Sequence, residues 1–236
     1  MKLAVFDLDG TLAKTNAVDE ICFLQAFADA ADLHDLNDNW LEYEHATDSG
    51  IAHEIFIKRL GREPTATEIS KIIERFVELL REHHVINADQ FIQIPGANSL
   101  LLNLQNNSQW CIAIATGCWS PSAQFKIEAA GLPIKDFPAA FSEDGPSREA
   151  IVQAAIRRAA DWYQQNEFER VVSVGDAVWD IRTAHRLALP FLGIGEDRCA
   201  KLLHEYGASH VIPDFLSEAQ CIRSLDEATI PNWLGM

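Results

Sequence analysis

Four apolar residues, Leu3-Ala4-Val5-Phe6, run directly into Asp7-Leu8-Asp9-Gly10-Thr11-Leu12. An apolar run that stops abruptly at charge and glycine predicts a buried parallel strand opening into a turn. Strand side chains alternate, so Asp7 and Asp9 point one way while Leu8 packs opposite. Beyond them, residues 14 to 89 carry no strand pattern. Apolar positions recur there at helical spacing: Val18, Ile21, Cys22, Leu24 and Phe27, then Ile51, Ile55, Phe56 and Leu60, then Ile69, Ile72, Ile73, Phe76, Val77 and Leu80. Gly61 and Pro64 punctuate the last two.

From Ile94 onward, strand and helix patterns alternate regularly. Strands are predicted at Trp110–Ala115, Ala139–Phe141, Val171–Val174, Pro190–Ile194 and His210–Ile212. Helices are predicted after Pro95-Gly96 through Leu104, from Pro121 to Ala130, from Arg148 to about Gln164, and from beyond Asp176 to Leu189. Repeated strand–helix units predict an α/β fold, a doubly wound parallel sheet with right-handed crossovers. The helical stretch then reads as an insertion after the first strand. This divides the chain into a core, residues 1–13 and 90–236, and a smaller helical cap, residues 14–89.

Composition narrows the function. The 236 residues are 48% hydrophobic and 23% charged, ordinary for a globular protein, and the formal net charge is −16. So acidic a surface argues against nucleic acid or an anionic membrane as partner. No apolar stretch approaches the roughly 20 residues needed to span a bilayer. A strand beginning at Lys2 leaves no room for a signal peptide. The five cysteines, Cys22, Cys111, Cys118, Cys199 and Cys221, include no CxxC pair and read as reduced thiols of a cytoplasmic protein.

Polar residues gather at strand ends. Asp7 and Asp9 follow the first strand, Thr116 the second, and Asp176 with Asp180 the Val171–Val174 strand. In a parallel sheet these ends share one edge, the edge where such folds bind ligands. Two carboxylates converging there repel each other unless a cation or a shared proton intervenes, so the site asks for a metal, acid/base chemistry, or both. Arg148 opens a helix on the same side. A cation there opposes the helix dipole, which points to an anion as its reason.

This set resembles the haloacid dehalogenase superfamily. The first motif of that family is matched by Asp7-Leu8-Asp9-Gly10-Thr11, the second by Ile112-Ala113-Ile114-Ala115-Thr116, and the fourth by Gly175-Asp176 with Asp180. The third is a lone basic residue, assigned to Arg148 with Lys126 and Lys135 as rivals; Lys126 lies in a helical pattern and reads as surface. The resemblance implies a Mg²⁺-dependent phosphatase with a Rossmann-like core. Asp7 would be the nucleophile that becomes an aspartyl phosphate. Asp9 would act as general acid and then base, its backbone carbonyl touching the metal. Asp7, Asp9 and Asp176 would hold Mg²⁺, with Asp180 and Thr11 in support. Thr116, Gly117 and Arg148 would bind the phosphoryl group. Asp9 favours phosphate esters over carbon–halogen bonds, because an alkoxide needs a proton and a halide does not.

The expected substrate is a small phosphorylated metabolite resembling phosphoglycolate or a sugar phosphate. Two alternatives share the fold: a sugar-phosphate mutase of β-phosphoglucomutase type and a non-catalytic regulatory protein. Lys58, Arg59 and Arg62, the densest basic cluster of the insertion, read as a solvated helix end, with recognition of a second anionic group as the rival role. Trp119, Trp179 and Phe141 read as core or rim packing. The histidines of the insertion show no metal-ligand set.

Overall fold

A computed structural model describes residues 1–106, 109–134 and 137–233. Six strands form one parallel sheet: β1 (Lys2–Phe6), β2 (Trp110–Ala115), β3 (Ala139–Ala140), β4 (Arg170–Gly175), β5 (Phe191–Ile194) and β6 (His210–Ile212). Their spatial order is β3-β2-β1-β4-β5-β6. The first strand therefore lies in the middle, with Phe6 opposite Ile114 on one side and Val174 on the other.

The period-2 pattern sorts the sheet's two faces. Ala4, Phe6, Ile112, Ile114, Val172 and Val174 join one core with Leu100 and Leu101 of α4 (Ala97–Asn106), Ile127 of α5 (Ser120–Ala129) and Leu225 of α9 (Glu218–Glu227). Leu3, Val5, Cys111 and Ala113 pack on the other face against Ile151, Val152 and Ala155 of α6 (Arg148–Trp162). Helices α7 (Val178–Arg186) and α8 (Asp197–Glu205) complete the wrapping. The two faces are the double winding that strand–helix alternation implies. Helices α8 and α9 lie beyond the helices expected from sequence; both are short, at 9 and 10 residues.

Between β1 and β2 come α1 (Asn16–Ala31), α2 (Asp48–Leu60) and α3 (Ala66–Ile86). Gly61, in the left-handed region at φ 67°, ends α2, and a reciprocal Thr65–Glu68 capping box starts α3. The three helices share an apolar cluster including Phe23, Phe27, Phe56, Ile72, Phe76 and Leu80. Trp119, which follows β2, is buried in that cluster and stacks on Phe23 at 5.6 Å between ring centroids. The chain enters and leaves this layer side by side: Ala13 bridges Gln93, and Lys14 N–H donates to Ile92 O at 2.8 Å.

Among the described residues, no helix is long and apolar enough to cross a membrane.

Candidate active site

Asp7 follows β1, Thr116 follows β2 and Asp176 follows β4, so the central three strands deliver polar residues to one edge. Asp180 sits in the first turn of α7, where it accepts from Ala177 N–H at 3.1 Å. Carboxylate oxygens of Asp7, Asp176 and Asp180 lie within 4.8 Å of one another. Thr11 and Asn16 donate to Asp176 at 3.3 and 3.0 Å. Gly10 makes room for this contact. Its φ is 75°, and a Cβ there would meet Asp176 Oδ2 at 2.0 Å.

Arg148 explains its place at a helix N-terminus. Its Nη1 donates to Asp180 at 2.8 Å and to Asp7 at 3.4 Å, and its Nε donates to Ala46 O at 2.7 Å. The guanidinium lies over Trp179, 5.4 Å from the ring centroid. Trp179, read from sequence as packing, thus supports the cation of the site. Gly117 passes close to it: a Cβ on Gly117 would stand 2.9 Å from Arg148 Nη2.

One arginine does not balance three acids. Burial and then Asp180 push the Asp7 carboxyl well above the usual range, against the pull of Arg148. Burial and Asp180 raise Asp176 to about 7. Burial raises Asp180 as well, despite Arg148. Such a cluster wants more positive charge. Three carboxylates offering hard oxygen donors within common reach fit Mg²⁺, which binds through one or two carboxylates plus substrate oxygens and water. No histidine joins this cluster among the described residues.

Asp9 belongs to a second, separate cluster. Its Oδ1 accepts from Thr15, and its Oδ2 accepts from Cys118 Sγ at 2.8 Å and from Lys126 Nζ at 2.6 Å. Lys126 also donates to Asp19 of α1 at 2.5 Å. Burial alone would raise Asp9, but Lys126, Cys118 and Thr15 outweigh it and hold the carboxyl below its ordinary value. Lys126 is kept charged in the same way: burial opposes the ammonium, yet Asp19 and Asp9 raise its pKa well above the usual lysine value.

This corrects the reading of Lys126 as a surface residue. Its side chain has no exposed area. The helical pattern located α5, but the carboxylates that make burial tolerable come from residues 9 and 19, far off in sequence. Lys126 also does not contact Asp7; among the described residues Arg148 is the basic side chain that hydrogen-bonds Asp7 and Asp180. Lys135 lies outside the described residues. Lys58, Arg59 and Arg62 are turned to solvent at the end of α2. Lys58 pairs with Glu54, Arg62 with Glu68, and Arg59 donates to Asp35 O.

Above the strand ends lies a cavity of about 250 Å³. Its lining includes Asp7, Asp9, Thr116, Gly117 and Arg148, and, from between β1 and β2, Asn16, Asp19, Glu20, Phe23, Trp40, Asp48 and Ile51. Thr116 is buried, and its Oγ1 accepts from Cys118 N–H at 3.2 Å. Asp48, also buried, accepts from Trp119 N–H at 2.8 Å, and burial followed by Asp19 pushes its carboxyl well above the ordinary range. Thr15, Asp19, Asp48 and Cys118 were not legible as site residues, and Lys126 entered only as a rival to Arg148 for the third motif. Their one sequence signal is indirect, since Cys118 and Trp119 directly follow the strand end at Thr116.

Known structures share this fold. A hydrolase from Pseudomonas syringae superposes with a TM-score of 0.69 at 24% identity, covering 96% of this chain and 99% of its own. CbbY from Rhodobacter sphaeroides, in complex with phosphate, gives 0.66 at 20% identity over 95% and 98% of the two chains. A predicted phosphoglycolate phosphatase from Haemophilus somnus 129PT gives 0.58 at 17% identity over 96% and 98%. These likenesses are likenesses of fold. Comparison with curated proteins returns no match. Residues 1–187, containing the three strand-end motifs and Arg148, match the haloacid dehalogenase-like hydrolase family, and the chain belongs to it.

Proposed function

We propose that the protein is a Mg²⁺-dependent phosphatase that hydrolyses a small phosphate monoester through an aspartyl phosphate on Asp7. The observation that carries this reading is the meeting of Asp7, Asp176 and Asp180 with Arg148 at one sheet edge beneath a cavity. Residues 14–89 would form a cap over that edge, a reading supported by the apolar cluster that α1, α2 and α3 share and by the adjacent crossings at Ala13 and Gln93. Five unpaired thiols support a reducing, cytoplasmic setting.

Each residue has a task in the reaction. Asp7, Asp176 and Asp180 offer the oxygen donors for Mg²⁺, with the backbone carbonyl of Asp9 as a further ligand implied by the family likeness. When bound, the ion neutralises phosphoryl oxygens and so lowers the repulsion between nucleophile and substrate. Arg148 adds a fixed positive charge beside Asp7, and Thr116 Oγ with the Gly117 backbone binds a phosphoryl oxygen. One Asp7 oxygen forms a bond to phosphorus as the bond to the leaving oxygen breaks, and Asp9 gives that oxygen a proton. Asp9, now a carboxylate, takes a proton from water as the water attacks phosphorus and releases Asp7. The Lys126 pair favours Asp9 in the carboxylate form, which suits the second half of the cycle.

The test is a panel of phosphate monoesters assayed with and without Mg²⁺, on the wild type and on Asp7→Asn. Expected are Mg²⁺-dependent release of inorganic phosphate and a loss of at least about 10³-fold in Asp7→Asn. Activity that survives Asp7→Asn would reject the covalent route.

A further inference from the structure

The part of the cavity lining drawn from between β1 and β2 contains no cation. Asp19, Glu20 and Asp48 supply its charged groups, and Phe23, Trp40 and Ile51 its apolar surface. Arg148 is the one basic side chain lining the whole cavity among the described residues, and it is engaged with Asp7, Asp180 and Ala46 O. Asp19 is paired with Lys126, which it shares with Asp9. Glu20 has no salt-bridge partner among the described residues; its one hydrogen bond is from Trp40 Nε1 at 3.2 Å. Asp48 is more than nine-tenths buried, and Trp119 N–H satisfies one of its oxygens. The other takes no hydrogen bond among the described residues. The basic residues of α2 that could have met a second anion are outside the cavity and paired on the surface.

We infer that the leaving alcohol of the substrate carries a positively charged ammonium group, held by Glu20 and Asp48 against Phe23 and Trp40. This rests on the phosphatase reading and sharpens it. The phosphate end of the substrate has Arg148 and the acids' metal to meet it. A carboxylate or second phosphate on the other end would face Glu20 with no compensating charge, a repulsion strengthened where water is excluded. An ammonium there gains ion pairing with Glu20 and attraction to the aromatic faces. The cavity volume suits a small metabolite, below the usual range for drug-sized ligands.

Three esters of matched size separate the charges: 2-aminoethyl phosphate, propyl phosphate and carboxymethyl phosphate, each assayed with Mg²⁺. The expected order of kcat/KM is ammonium, then neutral, then carboxylate, with the first exceeding the last by about tenfold or more. In Glu20→Gln the ratio of 2-aminoethyl to propyl phosphate should fall toward one. In Glu20→Lys the carboxymethyl ester should become preferred over the 2-aminoethyl ester. Turnover with propyl or carboxymethyl phosphate equal to or ahead of 2-aminoethyl phosphate overturns the charge assignment and leaves the phosphatase reading standing. Failure to hydrolyse any of the three, or p-nitrophenyl phosphate, overturns both.

Discussion

Lys126 Nζ lies 2.6 Å from Asp9 Oδ2, and no part of the Lys126 side chain reaches solvent. A buried ammonium survives only where its charge is matched. Here the match is double, Asp9 from the turn after β1 and Asp19 from α1. One cation thereby ties the second aspartate of the first motif to the first helix of the helical layer.

Removing that cation should be costly. Lys126→Met keeps the length of the side chain but leaves Asp9 and Asp19 without a cation, and the expected loss is about 3–5 kcal/mol of unfolding free energy. Asp19→Asn should cost less, since burial already raises the Asp19 carboxyl to about 6 and Asp9 remains to hold the lysine. Urea unfolding of both variants checks this; equal losses would mean that Lys126 serves Asp19 alone.

The metal-free protein should lose stability as pH rises. Asp176 titrates at about 7 in the folded chain, against about 3.9 when unfolded. Between those values the folded state keeps a proton that the unfolded state has released, so stability declines as pH climbs from about 4 through about 7. Asp7 and Asp180 are displaced in the same direction. Asp9 is displaced the opposite way, but its contribution is complete above its unfolded value of about 3.9 and adds no slope in this window. Mg²⁺ competes with these protons, so the rise in Tm it brings should grow between pH 5 and pH 8. Thermal melts in chelator and in Mg²⁺ across that range measure it. A Mg²⁺ effect independent of pH would contradict binding through these acids.

Asp9 should matter in proportion to how poor the leaving group is. Asp9→Asn removes the proton donor, and kcat/KM for an alkyl phosphate should fall by roughly 10²–10⁴. For p-nitrophenyl phosphate, whose leaving oxygen needs no proton, the fall should be at least tenfold smaller. Equal losses on both esters would assign Asp9 to holding the site together instead of to proton transfer.

The fold was written in local pattern. The unbroken apolar runs Leu3 to Phe6 and Trp110 to Ala115 marked buried strands, and both faces of the sheet are packed. The helical stretches read between residues 14 and 89 match α1 to α3. The acids at strand ends were equally legible, because a parallel sheet aligns strand termini whatever lies between them. Helices α8 and α9 were missed: each is short and buries few side chains, Leu203 in α8 and Cys221, Ser224 and Leu225 in α9.

What the sequence determined by itself was therefore the parallel sheet, the places of its strands along the chain, and the gathering of Asp7, Thr116 and Asp176 at one edge. The tertiary structure alone decided how charge is distributed there. It joined Arg148 to Asp7 and Asp180, gave Lys126 to Asp9 and Asp19, and left Glu20 on the cavity wall without a cation. The reason is physical. Backbone pattern depends on near neighbours along the chain, whereas ion pairing falls off with distance in space and joins residues more than a hundred positions apart.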